Sequence, residues 1–331
     1  MASHRSLFTL AACLLPSFVA ACGDDGQAPP AGPHYHFVVN KAFIPKTNTE
    51  AHEFGLDIGQ AKSTKLDKVV DNQLGMVLAT LEGMMFDIQT TIDTAINKGN
   101  IILLVDFQTK DFTNTSAAGV QAFLGKNPMP APCTDMNDMT CGHHLTGTGM
   151  FTVDPKSPDN ASLAGKIIGG TFNGGPGNLT LQIALGGTMA ITLNLELARA
   201  QATDVSDSGM TLIVAGAITQ DQINTQVIPA VVSQLGPIIM RDCNMLTSPP
   251  DCGCASGSTG KTILGLFDTA PKDCMVSVAE VQNNSLIKSL LAPDVCAPTG
   301  TGTTCDAANA LSIGLKVTAV KGGFTVDGET M

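Results

Sequence analysis

The stretch ASGSTGKT at residues 255–262 has the spacing of a phosphate-binding loop: a small residue, four spacers and then Gly-Lys-Thr. In such a loop, backbone N–H groups surround the phosphates, the lysine contacts their oxygens and the hydroxyl binds magnesium. The loop needs a buried strand before it and a helix after it. Here SPPDCGC, a proline and cysteine turn, precedes it, and Ala255 occupies the first glycine position. We therefore expect a disulfide-held turn and a helix capped by Ser258 or Thr259, without a bound nucleotide.

Cysteine is the residue type with the clearest chemistry in this chain. Two of the ten cysteines, Cys13 and Cys22, lie in the N-terminal segment, and eight remain. An even number of cysteines in an exported protein indicates disulfides, here up to four. The candidates are Cys133, Cys141, Cys243, Cys252, Cys254, Cys274, Cys296 and Cys305.

Two of these disulfides follow from short, turn-rich loops. Cys133 with Cys141 would close APCTDMNDMTCG, and Cys296 with Cys305 would close CAPTGTGTTC. The four cysteines between residues 243 and 274 would pair among themselves, in an order that the sequence leaves open. A zinc site built from these four is the alternative, but their spacing lacks the closely spaced cysteine pairs that are typical of structural zinc.

Acid–base and metal-binding candidates are few. His34 and His36 would place two imidazoles on one face of a strand, but no third ligand of the right kind follows nearby. Asp106, Asp111 and Asp154 are the carboxylates at expected strand ends that a hydrolase would use. Sugar rings stack on Trp or Tyr, and the chain has no Trp and one Tyr, which disfavours a polysaccharide substrate.

The first residues predict export and lipidation. His4 and Arg5 precede the apolar run Leu7–Val19, and Val-Ala-Ala-Cys follows, ending at Cys22. A basic start, an apolar core and small residues before a cysteine are typical of a secretory signal with a lipobox. We predict that residues 1–21 are removed and that Cys22 is acylated. An uncleaved membrane helix or a plain signal peptide is the alternative.

The segment after the lipobox, GDDGQAPPAGP, is rich in Gly, Pro and Asp, so residues 22–33 are expected to form a flexible stalk. Residues 34–331 would form a single large β-rich extracytoplasmic domain, or two closely packed subdomains. No later stretch was expected to supply the roughly 20 apolar residues that span a bilayer. The mature protein would then be a soluble body on a lipid tether.

The composition allows a large core and excludes some partners. Hydrophobic residues make up 44% of the chain and charged residues 14%, so disorder is expected only in the stalk and a few loops. The net charge is −11, and removing residues 1–21 takes away Arg5 alone, which leaves −12. Such an acidic surface repels nucleic acid and anionic lipid head groups and favours cations or neutral ligands.

Periodic apolar residues predict both strands and helices. The expected strands are 36–44, 101–108, 149–154, 162–172, 179–185, 189–197, 210–217 and 311–318. Gly186-Gly187 would turn one hairpin, and Gly322-Gly323 would turn a strand pair at the end of the chain. Apolar residues three or four apart predict a long helix over residues 71–99, bent at Gly83.

Two further helices have capping signals. Thr219 with Gln222 and Ser277 with Glu280 have the spacing of capping boxes. Strand-rich ends with helices inserted between them predict a mainly β (α+β) fold. We expect an antiparallel β-sandwich decorated by several helices, with disulfide-stapled loops.

Four segments together resemble a known family. They are VDNQLGMVLATLEGMMFDIQTTIDTAINKGNIILLVDFQ, GAITQDQINTQVIPAVVSQLG, STGKTILGLFDTAPKDCMVSVAEVQNNSLIKSLLAPDV and LSIGLKVTAVKGGFTV. In order and wording they resemble a family of uncharacterised surface lipoproteins from myxobacteria and related Gram-negative bacteria. The resemblance covers most of the mature chain and implies a lipid-anchored protein of the outer membrane. The family supplies no assigned activity.

The same resemblance raises the question of a calcium site. Family members have an acidic Asp-x-Asp-Gly-Asp-Gly-x-x-Asp-Asn stretch before the long helix, whereas this chain has LDKVVDN at residues 66–72. Calcium takes about six to eight oxygen ligands. The donors that remain here are Asp57, Asp67, Asp71 and Asn72. In the simpler interpretation, Asp71 and Asn72 only cap the long helix.

Three functions therefore remain open. The preferred one is a lipid-anchored module of the cell envelope that binds a ligand or another envelope protein, or has a structural role. The alternatives are an extracytoplasmic hydrolase acting on polysaccharide or peptide and a vestigial calcium-binding surface module. Calcium is the one cofactor considered, and neither nucleic acid nor nucleotide is expected as a partner.

The lipid anchor is directly testable. Cys22→Ser removes the thiol that would be acylated, so the variant should be released from membranes into the soluble fraction. Membrane fractionation of cells that express the two forms measures this, with metabolic labelling by a fatty acid as a second readout. Retention of the variant in the membrane would refute the anchor.

Overall fold

The protein is described by a computed structural model that covers residues 29–83, 88–135, 138–157, 161–183, 191–244, 247–249, 251–298, 300 and 302–325. The strands are β1 (His34–Phe43), β2 (Leu103–Gln108), β3 (Thr115–Met129), β4 (Gly149–Val153), β5 (Ser162–Ile168), β6 (Thr171–Ile183), β7 (Ile191–Thr203), β8 (Gly209–Thr219) and β9 (Ala310–Gly323). The helices are α1 (Asn48–Glu53), α2 (Gln73–Gly83), α3 (Ile88–Asn97), α4 (Gln220–Gln222), α5 (Ile228–Asp242), α6 (Thr259–Phe267), α7 (Val278–Asn283) and α8 (Ser285–Leu290).

Eight of these strands close into a barrel. In the order β1-β2-β3-β5-β6-β7-β8-β9, each strand pairs antiparallel with the next, and β9 pairs antiparallel with β1. β4 lies outside this ring and pairs antiparallel with β3 and parallel with β9. The predicted β-sandwich is therefore wrong. Alternation of apolar and polar residues is the same in both architectures, and only the β1–β9 and β3–β5 pairings distinguish them.

The two ends of the barrel differ. At the end where β1, β3, β6 and β8 begin, Phe37, Phe107 and Phe172 fill the interior with no exposed surface. The rings of Phe107 and Phe172 meet edge to face with centroids 5.1 Å apart, and Tyr35 packs on Phe112 at 4.6 Å. We call this the aromatic end.

The N-terminal segment of the described chain lies against the aromatic end. The Ala31 amide donates to the Ala117 carbonyl at 3.2 Å, and Thr109 donates to the Pro33 carbonyl at 3.2 Å. The Gln108 side chain donates to the Gly32 carbonyl at 3.1 Å. Residues 29–33, which were assigned to the stalk, therefore contact β2 and β3. Residues 1–28, with the signal peptide and Cys22, lie outside the described residues.

Helices cover the opposite end, which we call the capped end. α4, a π-helical turn at Ile223–Val227 and α5 form one continuous helix, Gln220–Asp242. By length and composition alone this 23-residue helix, with a mean hydropathy of 1.2, could cross a membrane, which the sequence analysis did not recognise. It buries Ile223, Ile228 and Leu235 in the same core as the barrel interior. In this structure it is the cap of a barrel.

Side-chain amides tie this cap to the barrel. The Asn194 amide of β7 donates to the side-chain oxygen of Gln222 at 2.8 Å, and the Gln222 side-chain nitrogen donates back to the Asn194 carbonyl at 2.9 Å. On the far side of the cap, Gln282 of α7 donates to the Asn224 carbonyl at 3.0 Å. Thr219 caps the helix by accepting from the Gln222 amide, but the Gln222 side chain bonds to Asn194, so only half of the expected capping box is present.

A second apolar cluster lies outside the barrel wall. Val38, Leu104 and Phe123 point away from the interior on β1, β2 and β3, and Ile92 and Ile96 of α3 pack over them. Because side chains alternate along a strand, each of these strands contributes to both cores. The α2–α3 pair corresponds to the single long helix expected over 71–99, and residues 84–87 between them lie outside the described residues.

The described part of the chain contains four disulfides, as the even cysteine count predicts. They join Cys133 to Cys141, Cys243 to Cys254, Cys252 to Cys274 and Cys296 to Cys305. Because the four cysteines between residues 243 and 274 are paired in this way, they are not thiolate ligands for zinc. The expected capping box is also present, where Ser277 accepts from the Glu280 amide and Glu280 accepts from the Ser277 amide. The helix it starts ends at Asn283, and Asn284 caps a separate α8.

The described end of the chain, up to residue 325, contains the single strand β9, where a strand pair was expected. β9 runs from Ala310 to Gly323, so Gly322-Gly323 lies within it and does not turn the chain. The tip of the hairpin between β6 and β7, with Gly186-Gly187, lies outside the described residues.

Asn72 joins α2 to β9. Its side-chain oxygen accepts from the Gly75 amide at 2.9 Å and from the Gly314 amide at 2.7 Å. Its nitrogen donates to the carbonyls of Ala51 and Gly314. The side chain is 2% exposed, so these bonds are made away from water.

Asn72→Ala should lower the free energy of unfolding by about 3 kcal/mol, because it removes the cap of α2 and leaves buried backbone groups without partners. Chemical denaturation followed by circular dichroism measures this loss. Thr47→Ala, which removes the exposed cap of α1, is the control and should cost about 1 kcal/mol. Equal losses in the two variants would contradict the role assigned to Asn72.

Candidate functional site

The barrel interior contains an apolar cavity. It lies between the aromatic layer and the helical cap, has a volume of about 50 Å³, and exposes no polar surface. All of its lining residues belong to strands. They are Val39, Leu103, Val105, Val120, Ala122, Leu163, Leu179, Leu181, Ala200, Leu212, Val214, Leu315 and Val317.

Small side chains at the middle of the barrel create this space. Ala200 of β7 and Ala122 of β3 point into the barrel at the level of the cavity. In the next layer, nearer the aromatic end, the much larger Phe107 and Phe172 point inward. The volume equals about four water-sized spheres, but water in it would find no hydrogen-bond partner. An empty hole of this size costs about 1 kcal/mol of stability. The cavity can therefore hold an apolar group, and it offers no acid, base or nucleophile for a reaction.

The proposed calcium ligands lie together in one loop region. Asp57 accepts from the Lys68 amide at 2.6 Å, Asp67 from the Val69 amide at 2.9 Å, and Asp71 from the amides of Ile58 and Gly59 at 2.8 and 3.3 Å. Each carboxylate thus has one oxygen committed to the backbone. Asn72 faces the other way, into its bonds with α2 and β9.

Asp294 joins these carboxylates in an open cleft. Asp67, Asp71 and Asp294 line it together with Lys62. Burial raises the pKa of Asp71 to about 6. The negative charges of Asp294 and Asp57 also raise this pKa, whereas the two backbone hydrogen bonds to Asp71 lower it. Burial also raises the pKa of Asp294. Two neighbouring carboxylates with raised pKa values hold protons more readily than ordinary surface acids.

Asp294 has a structural role as well. It accepts from the Ser312 amide at 2.7 Å and from the Ser312 hydroxyl, whose oxygen in turn accepts from the Gln73 amide at 2.8 Å. This chain of bonds holds the first residue of α2 against β9. Among the residues that the structure describes, no group of three or more His, Cys, Asp or Glu side chains is arranged to hold a metal ion.

Two histidines and an aspartate meet on the outer face of β1 and β2. His34 Nδ1 lies 2.7 Å from Asp106 Oδ2, and His36 Nε2 lies 3.8 Å from Asp106 Oδ1. Phe324 stacks on the His36 ring with centroids 4.2 Å apart. The sequence marked these side chains separately, and the pairing of His36 with Asp106 across the strands brings them together.

Two of the carboxylates considered for a hydrolase, Asp111 and Asp154, lie far apart. Asp111 accepts from the Thr113 amide in the turn before β3, whereas the Asp154 amide donates to Leu124, nine residues along β3 from Thr115. Nine residues of strand span about 30 Å. A glycosidase pair needs a separation of about 5–10 Å. His144 is buried, and burial lowers its pKa, while a hydrogen bond with the Ile96 backbone opposes that shift.

The ASGSTGKT segment has the local structure that was expected. Ser258 caps α6 by accepting from the Lys261 amide at 3.3 Å. The Gly260 amide donates to a carboxylate oxygen of Asp242 at 2.9 Å. Asp242 thus places a negative charge at the helix start, where a phosphate would have to bind. The Cys243–Cys254 disulfide holds the preceding turn.

Sequence reasoning missed the cavity because it missed β3. Its sequence, TSAAGVQAFLGKNPM, contains glycine and proline that suggest a loop. The available signal was the alternation of Ala118, Val120 and Ala122, which all point inward. Because β3 joins β2 to β5, a closed barrel cannot be predicted without it. Without a barrel, the inward-pointing residues of different strands cannot be compared.

The chain matches no protein-family model, and neither curated proteins nor solved structures give a match.

The raised pKa of Asp71 predicts a pH dependence of stability. The folded pKa of about 6 exceeds the ordinary value of 3.8, so the contribution of this group is fully present below about pH 4 and is lost as the pH rises through 6. Asp71→Asn should remove this dependence, so the difference in free energy of unfolding between the two proteins should change between pH 4 and pH 7. Urea denaturation across this range measures it.

The control is Asp67→Asn, which removes an exposed carboxylate from the same cleft. A difference between wild type and Asp71→Asn that stays constant from pH 4 to pH 7 would contradict the assignment. Comparison with Asp67→Asn separates this effect from the loss of one negative charge.

Proposed function

We propose that this chain is a lipid-anchored binding module of the bacterial cell envelope whose barrel holds a small apolar ligand. The observation that carries the proposal is the cavity bounded by Ala122 and Ala200, which exposes carbon atoms alone. An eight-stranded barrel is just wide enough either to be filled by its own side chains or to hold one small ligand. This barrel is filled at the aromatic end and hollow in the middle.

The lining favours binding over catalysis. A hydrolase needs an acid, a base or a nucleophile beside its substrate, and the cavity presents leucine, valine and alanine side chains. Asp111 and Asp154 lie at different ends of β3, so these two carboxylates do not form a glycosidase pair. An apolar ligand gains free energy when its surface is removed from water, and the apolar cavity provides a volume in which this can happen.

The envelope location is supported by the sequence and by the disulfides. The basic start, apolar core and small residues before Cys22 are typical of a lipoprotein signal. Four disulfides are characteristic of proteins that fold outside the reducing cytoplasm. The resemblance to surface lipoproteins of myxobacteria points to the outer membrane of a Gram-negative cell.

Calcium binding at the loop of Asp57, Asp67 and Asp71 is a second candidate. The observation that favours it is the cleft in which Asp67 and Asp71 meet Asp294. Against it, Asn72 is committed to four hydrogen bonds inside the protein. A thermal midpoint that rises with calcium and returns with EDTA in wild type, but not in Asp71→Asn, is the result that supports this candidate.

Filling the cavity tests the main proposal. Ala200→Leu adds side-chain volume to the hollow layer, so it should raise the free energy of unfolding by about 1 kcal/mol and abolish binding of a small apolar probe. Xenon is a suitable probe, because it is apolar and small and its binding shifts the NMR resonances of nearby methyl groups. Methyl groups of Val105, Leu163 and Leu212 should shift in wild type and stay unchanged in the variant.

The matched control is Ala202→Leu. Ala202 points inward two residues along β7, where the interior is already filled, so the same substitution should destabilise the protein by about 1–3 kcal/mol. If xenon leaves the methyl resonances of wild type unchanged, or if Ala200→Leu destabilises as much as Ala202→Leu, the cavity is not a binding site.

A further inference from the structure

We infer that residues 142–153 form an acid-sensitive flap over the second apolar cluster, which opens when the buried His144 ring takes up a proton while the eight-stranded barrel stays closed. This inference goes beyond the proposed function and does not depend on what the barrel holds. Three observations carry it: the position of β4 outside the barrel, the fixed points on both sides of the flap, and the burial of His144 away from other charges.

β4 can move without opening the barrel. It pairs with β3 and β9, but the β1–β9 and β3–β5 pairs that close the barrel do not involve it. Phe151 of β4 and Leu145 in the turn before it are buried in the second apolar cluster, together with Phe123 and Phe324. Release of the flap would therefore expose aromatic surface on the outside of the barrel and leave the ring of eight strands intact.

The flap is held at both of its ends. On one side, the Cys133–Cys141 disulfide closes the loop before it. On the other side, the Asp154 amide donates to the Leu124 carbonyl of β3 at 2.7 Å. Gly142 at the start of the flap has a φ of +75°, a left-handed conformation that suits glycine. Movement is thus confined to the residues between these points.

His144 is fully buried inside the flap. It lies in the 3₁₀ turn His143–Leu145, has no exposed surface, and its ring meets the Phe151 ring edge to face with centroids 6.3 Å apart. Among the described residues, no side chain forms a hydrogen bond with either ring nitrogen. Burial lowers the pKa of this ring, and a hydrogen bond with the Ile96 backbone opposes the shift. The closed flap therefore holds the neutral ring, because burying an unpaired charge is costly.

The elements packed around His144 provide no charge that stabilises its protonated form. β4 contains no titratable side chain. The titratable groups of α3, β1 and the adjoining loop are Asp93, His34, His36, Lys41, Asp135, Asp138 and His143. None of them is among the causes of the His144 pKa shift, which are burial and the Ile96 backbone. A proton on this ring therefore finds no counter-charge until the turn moves into water.

The direction of the switch follows from the lowered pKa. The ordinary pKa of histidine is 6.5, and the value in the closed flap lies below it. The contribution of the neutral ring to the stability of the flap is therefore fully present above about pH 7 and is lost as the pH falls below 6.5. Asp71 acts in the opposite direction, because its contribution is lost as the pH rises through about 6.

Amide hydrogen exchange tests the flap. The full mature chain is labelled at about pH 7.5 and about pH 5.5, and the rates are corrected for the intrinsic pH dependence of exchange. Exchange of residues 142–153 should be several-fold faster at the lower pH, up to about tenfold, because a ring with the ordinary pKa in the open flap gains at most that factor over one pH unit. Amides of β8 should keep their protection, because the barrel stays closed.

Two adjacent histidines provide the matched variants. His144→Phe keeps an aromatic ring in the apolar site and removes the titrating group, so exchange of the flap should no longer depend on pH. His143→Gln changes the exposed neighbour and should behave as wild type. Binding of a fluorescent apolar dye should rise at the lower pH in wild type and in His143→Gln, and should stay unchanged in His144→Phe.

The outcomes decide between a local switch and its alternatives. Equal exchange of residues 142–153 at the two pH values in wild type would overturn the flap, as would an equal loss of protection in β8, which is global unfolding. A pH dependence that persists in His144→Phe would overturn the role of His144. If that variant does not fold, ring nitrogen chemical shifts of wild type decide instead, because His144 should remain neutral at about pH 6.5, where a free imidazole is half protonated. A half-protonated His144 at that pH would overturn its role.

Discussion

The pairing of β1 with β9 is the constraint on which the rest of the structure depends. Phe37 lies opposite Lys321 and Phe43 opposite Lys316, so the first and the last strand of the described chain are neighbours in one barrel. An open sheet of these strands would leave two edges with unpaired backbone groups. Closure satisfies those groups and gives the sheet an inside, so the apolar cavity exists only because this pair forms. The register shifts between Val39 and Lys41, where the Asn40 side chain accepts a hydrogen bond from Thr318.

Closure also sets how much side chain the interior can take. The width of a barrel follows from its strand number, so eight strands impose one diameter along the whole interior. Phenylalanine at one end fills that diameter and alanine in the middle does not. The cavity therefore results from the small size of the inward side chains in this layer, because the barrel diameter is fixed. On their outer face, strands β1, β2 and β3 pack against α3 in the second apolar cluster.

The sequence was most informative where structure is local. Ser277 with Glu280 and the cap at Ser258 depend on residues three apart, and both are present in the structure. The prediction of a β-sandwich was wrong because the architecture depends on which distant residues pair across strands, such as Phe37 with Lys321. Alternation of apolar and polar residues along one strand carries no information about these pairs. The cavity was missed for the same reason, since it arises from comparing Ala122 with Ala200, which lie on different strands. His36 and Asp106 were each marked, but only strand register shows that they meet.

The path of residues 29–33 has a consequence for how the molecule would stand in the envelope. These residues lie against the aromatic end, and a lipid on Cys22 would be joined to Pro29 by the six residues 23–28, so the Cα atoms of Cys22 and Pro29 can be at most about 25 Å apart. The aromatic end would then face the anchoring bilayer and the helical cap would point away from it.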